Sequence, residues 1–68
     1  MFDEVDLMRR GEAFREKKDY DQAIAIFSEV IKINPRFAEA YYARGNCYEE
    51  QGLHEEAIAN YNEVLRFS

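Results

Sequence analysis

Shifted by 34 positions, this 68-residue sequence falls onto itself. Arg10-Gly11 meets Arg44-Gly45, Glu16 meets Glu50, Ala23-Ile24-Ala25 meets Ala57-Ile58-Ala59, and Glu29-Val30 meets Glu63-Val64. Conservative pairs fill the gaps: Phe14 with Tyr48, Asp21 with Glu55, Phe27 with Tyr61, Ile31 with Leu65, Lys32 with Arg66. A fixed period over nearly the whole chain means that one supersecondary unit occurs twice. The fold is then a stack of like units.

Within each unit the apolar residues recur at helical spacing and not at the alternation of a strand. Tyr20, Ala23, Ile24, Phe27, Val30 and Ile31 fall on one stripe, and Ala57, Ile58, Tyr61, Val64 and Leu65 repeat it. Leu7, Gly11 and Phe14 share a face with Met8 beside it, as do Tyr41, Gly45 and Tyr48 with Tyr42 beside it. The spacing predicts four helices, near residues 4–17, 20–33, 37–51 and 54–67, each about 14 residues and so roughly 21 Å long.

Local chemistry marks the breaks. Asn34-Pro35 ends the second helix, because the residue before proline is pushed out of the α region, and Gly52 ends the third in a left-handed conformation. The first break, Glu16-Lys17-Lys18, has neither Gly nor Pro. Only Asp19, with Gln22 three residues on, marks it, as a capping box. Asp3 caps the first helix, with Glu4 and Asp6 at the positive end of its dipole. Gly11 and Gly45, facing Ala23 and Ala57, are expected to let paired helices approach closely while Phe14, Phe27, Tyr48 and Tyr61 fill the remaining space.

Composition removes whole classes of function. Nine basic against fourteen acidic residues give a net charge of -5, the wrong sign for a phosphate backbone or an anionic membrane. The absence of a long apolar run points away from a membrane span and from a secretory signal, so a cytoplasmic location is expected. One cysteine makes no internal disulfide, and with one histidine it makes no four-ligand zinc site. Cys47 and His54 form the one nucleophile-and-base pairing available, but Glu49, Glu50 and Glu55 around the thiol oppose its ionisation. Cys47 aligns with Ala13, which predicts a small buried core position for Cys47. Glu50, His54 and Glu55 make a poor metal site beside a turn. Most carboxylates read as solvated helix charges, with Glu12 near Lys17 and Glu29 near Lys32. The expectation is no enzyme, no metal and no cofactor.

The pattern resembles the tetratricopeptide repeat. It reads Leu7, Arg10-Gly11, Phe14, Ala23, Phe27 and Pro35 in the first copy, and Tyr41, Arg44-Gly45, Tyr48, Ala57 and Tyr61 in the second. Leu7 stands where Trp is commonest, and Arg10 and Arg44 where Leu is common. The resemblance implies an all-α fold in a single domain over residues 1–68. Two tandem helix-turn-helix repeats, residues 4–37 and a shortened 38–68, would form four antiparallel helices in a short right-handed α-solenoid. It also implies a protein–protein interaction module whose first helices line a concave groove for a peptide or partner protein. The groove positions carried over are Val5, Met8, Arg9, Glu12 and Arg15, and Glu39, Tyr42, Ala43, Asn46 and Glu49. A subset of the family clamps chaperone-tail carboxylates with Lys and Asn; here Met8, Glu12 and Ala43 occupy those places, so that clamp is absent. Tyr42 and Met8 would give apolar contact, Asn46 a hydrogen bond, and Glu39 and Glu49 a preference for a basic segment.

A second expectation concerns the last helix. With no polar capping helix after it, Ile58, Tyr61, Leu65 and Phe67 are expected to be a self-association surface. Covering ~300 Å² of apolar area is worth roughly 7 kcal/mol before association costs. Head-to-tail stacking, a closed two-fold pair, or exchange of a fused first helix would each cover it, making a homo-oligomer.

Overall fold

A computed structural model describes residues 3–68. Four helices follow one another: α1 Glu4–Glu16, α2 Tyr20–Ile33, α3 Ala38–Glu50 and α4 His54–Phe67. Each packs against the next, and α1 also touches α3. This is an all-α tandem helical repeat, with no strand among the described residues.

The two helix-to-helix turns inside the repeats have the same geometry from different residues. Gly52 takes the left-handed conformation at φ 82°, and its counterpart Lys18 does so at φ 64°. In the first turn Asp19 N–H donates to Phe14 C=O at 2.9 Å and Lys18 N–H to Arg15 C=O at 2.8 Å; in the second, Leu53 donates to Tyr48 at 2.9 Å and Gly52 to Glu49 at 3.0 Å. These crossed bonds satisfy the last carbonyls of α1 and α3 and end both helices. The first two helices are therefore separate, although no glycine marks the break. Because a Cβ disfavours this backbone region, Lys18→Gly should stabilise the chain by about 0.5–1 kcal/mol, net of the extra freedom glycine gives the unfolded state. Gly52→Lys should destabilise it by a similar amount. Urea midpoints for the two variants that move the same way would contradict this account.

The caps differ in detail from the expectation. Asp3 Oδ1 accepts from Asp6 N–H at 3.0 Å, as an N-cap should. At α2, Asp19 Oδ1 lies 3.5 Å from Gln22 N, and the Gln22 amide donates to the Asp19 carboxylate at 2.9 Å instead of reaching back to its backbone. That backbone N–H is already taken by Phe14, so a full capping box cannot form.

The core lies where α2 meets α3. Ala23, Phe27, Ala43 and Cys47 form its buried cluster, with Met8, Phe14, Tyr20 and Ile24 packed around it. The glycines act differently from the expectation, because what faces them is an aromatic ring. A Cβ at Gly11 would stand 2.4 Å from Phe27 Cε1, and one at Gly45 would stand 2.7 Å from Tyr61 Cε1. The missing side chain makes room for the ring of the partner helix. Cys47 is fully buried as expected, but Ala13 is exposed. The alignment matches their places in the repeat; burial follows the neighbouring unit, and α2 covers Cys47 while no helix among the described residues covers Ala13.

Candidate functional site

A groove of about 570 Å³ runs between α1 and α3. Helical spacing brings Val5, Met8, Arg9 and Glu12 to the α1 wall, and Glu39, Tyr42, Ala43 and Asn46 to the α3 wall. Arg15 lies at one end, and Ala13 and Glu16 complete the lining. Ala13 and Glu16 lie outside the positions that the family resemblance implies for the groove. Glu49 does not line the groove.

Two of the lining charges, Glu12 and Arg15, are committed to each other. Arg15 Nη2 and Nε both reach Glu12 Oε2, at 2.8 and 3.3 Å, while Arg15 Nη1 meets Glu50 Oε2 at 2.7 Å. Glu50 Oε1 also accepts from the Tyr20 hydroxyl at 3.1 Å, so one network spans α1, α2 and α3. Hydrogen bonding to Glu12 leads in raising the Arg15 pKa, and this guanidinium stays charged and occupied. One expected pairing is corrected here. Glu12 pairs with Arg15, three residues on, and not with Lys17, which is five away and off the same face. His54 Nδ1 lies 2.9 Å from Glu49 Oε1, whereas Glu50 faces Arg15. Glu29 and Lys32 stand 3.6 Å apart.

What remains open in the groove is an apolar strip with one polar anchor. Val5 and Tyr42 are each 56% exposed, and Met8 is half-buried beside them. Asn46 Oδ1 accepts from the Tyr61 hydroxyl at 2.6 Å, which fixes the amide and leaves its Nδ2 without a partner among the described residues. Burial leads in raising the Tyr61 pKa, so the hydroxyl keeps the proton it donates.

The candidates on α4 divide in two. Ile58 and Leu65 are exposed, at 58% and 76%, and Leu65 joins Tyr42, Asn46, Tyr61 and Val64 around a shallow depression of about 360 Å³. Phe67 turns elsewhere. Its ring lies 5.7 Å from that of Tyr41, with the guanidinium of Arg66 at 5.2 Å and that of Arg36 at 5.9 Å. Tyr61 also faces inward to Asn46, with its ring 5.9 Å from that of Tyr42.

Burial is the leading influence on Cys47 and pushes its thiol up to about 11, so it is a neutral side chain at neutral pH. No group of three or more His, Cys, Asp or Glu among the described residues is placed to hold a metal ion. No helix among them is long and apolar enough to cross a membrane.

Two stacked helical hairpins with a groove between their first helices define a helical-repeat protein of the kind that presents a surface to partners. The chain matches the family model of the TPR repeat over residues 11–52 and that of the tetratricopeptide repeat over residues 38–68. It belongs to the tetratricopeptide repeat family, whose repeats are in general protein–protein interaction modules and non-enzymatic scaffolds. A comparison with curated proteins finds no match.

Proposed function

We propose that the chain is a small scaffold that binds a peptide segment of a partner protein in the groove between α1 and α3. The observation that carries this reading is the exposed strip of Val5, Met8 and Tyr42 next to the oriented, unpartnered amide of Asn46. An apolar side chain of the peptide packs against the strip, and Asn46 donates to a peptide carbonyl. With Arg15 neutralised by Glu12 and Glu50, the lining leaves Glu16 and Glu39 against Arg9. That balance favours a segment with a basic residue beside its apolar anchor. An acidic carboxylate tail finds no free Lys or Asn clamp, since Met8, Glu12 and Ala43 stand there.

The test is a titration of basic-apolar peptides against the chain, followed by NMR. Shifts should centre on Tyr42 and Asn46, and Tyr42→Ala should weaken binding about tenfold, equivalent to about 1.4 kcal/mol. Binding that leaves both resonances unmoved, or equal affinity for acidic peptides, would place the ligand elsewhere.

A second reading makes the outer face of α4 a further contact surface, for a copy of this chain or for another protein. Exposure of Ile58 and Leu65, about two turns apart on one face, supports it.

A further inference from the structure

The internal repeat supplies a template for what docks on that face. Against the first unit, α3 packs through a stripe of small residues: Ala40 and Cys47 are fully buried and Ala43 is 4% exposed. Three residues beyond Cys47, Glu50 closes the contact through Arg15 on α1 and Tyr20 on α2. Positions 40, 43, 47 and 50 therefore read small, small, small, acidic. A cation at position 15 receives the acidic end.

The second unit keeps the apolar plan and reverses the charge. Ile24 and Ile31 are half-buried, but their counterparts Ile58 and Leu65 are exposed. At the positions of Arg15 and Tyr20 stand Glu49 and His54, themselves 2.9 Å apart. A carboxylate arriving on the second unit as Glu50 does on the first would meet Glu49, whereas a Lys or Arg would pair with it. The helix that a second copy of this chain would offer is α1. Its equivalent stripe carries Asp6, Arg9, Ala13 and Glu16. Two of these are charged residues in the places where Ala40 and Ala43 are buried, and Glu16 would oppose Glu49.

Resting on the reading of α4 as a contact surface, we infer that its outer face and the adjoining part of α3 dock a helix of a partner protein. That helix carries small residues at three positions spaced by three and four, then a Lys or Arg three residues further on. The same face rejects this chain's own α1, so head-to-tail stacking is blocked by α1 and not by any lack of apolar surface on α4.

The chain can be turned into its own partner to test this. A donor with Asp6→Ala, Arg9→Ala and Glu16→Lys presents the required stripe, and Leu65→Asp blocks its own α4; Ile58→Asp serves as the block if Leu65→Asp fails to fold. Titrated into isotope-labelled wild-type chain, the donor should shift Ile58 and Leu65, saturating at one to one. A control donor with the block alone should bind at least tenfold more weakly. Glu49→Lys in the acceptor should abolish the preference for the Glu16→Lys donor. Equal binding by the two donors, or no binding by the first, would overturn the inference. So would a wild-type homodimer that saturates at two copies and is broken by Leu65→Asp, because the occupant would then be a second copy. Each result leaves the groove between α1 and α3 to its own test.

Discussion

Phe27→Ala is expected to cost about 3–5 kcal/mol, the usual range for removing a fully buried aromatic side chain. A chain of this size holds roughly 3–10 kcal/mol in total, so the variant should be substantially unfolded at 25 °C by circular dichroism and urea titration. Phe27 is 0% exposed, at the centre of the cluster that joins α2 to α3. Its ring also occupies the space left by Gly11, where a Cβ would approach Cε1 to 2.4 Å and Cζ to 2.7 Å. This second contact gives a sharper test than the truncation alone. In the wild-type background Gly11→Ala should destabilise the chain by about 1–2 kcal/mol, because forced overpacking outweighs the roughly 1 kcal/mol gained in helix propensity. In a Phe27→Leu background the ring is gone and the same substitution should become neutral or stabilising. Identical effects in the two backgrounds would mean that Gly11 and Phe27 are not coupled.

The parts of this fold legible in the sequence are those written in local chemistry or in the period. Pro35 and Gly52 constrain the backbone by themselves, and the helical stripes follow from apolar spacing, so each helix boundary lies within one residue of its expected place. Lys18 was opaque because its left-handed conformation comes from the crossed hydrogen bonds around it, not from its own preference. The Arg15 to Glu50 bond joins residues 35 apart in sequence, and no helical spacing could announce it. Ala13 and Cys47 show the limit of the repeat itself: equal positions, one exposed and one buried. The groove lining was accessible through the family resemblance. Which of its charges are free was not, since pairing is decided by side chains from three helices.

Arg44→Met is expected to destabilise the chain by about 2 kcal/mol, and Asn60→Ile to restore much of that loss in the double variant. Arg44 stands where the family commonly has leucine, and it is held on several sides. Its Nε donates to Asn60 Oδ1 at 2.7 Å on α4, its Nη1 to Ser28 Oγ at 3.0 Å on α2, and its guanidinium lies 5.7 Å from the Tyr41 ring centroid. Asn60 is only 7% exposed and spends its amide on Glu56 C=O at 2.8 Å, so its carbonyl depends on Arg44. Removing the guanidinium leaves that oxygen unpaired, at a cost of about 1–3 kcal/mol. Ile26 occupies the position of Asn60 in the first unit, so an apolar residue is already compatible with the repeat at that place. With the amide replaced by isoleucine, nothing buried is left unsatisfied when Arg44 is removed. Thermal or urea unfolding of the four species should therefore give a coupling of at least 1 kcal/mol between the two sites. Simple additivity would show that Arg44 is held without Asn60, by Ser28 and the Tyr41 ring. Strong coupling would show that a polar tie between α3 and α4 does the work of the leucine and holds Arg44 where its Nη1 reaches Ser28 on α2.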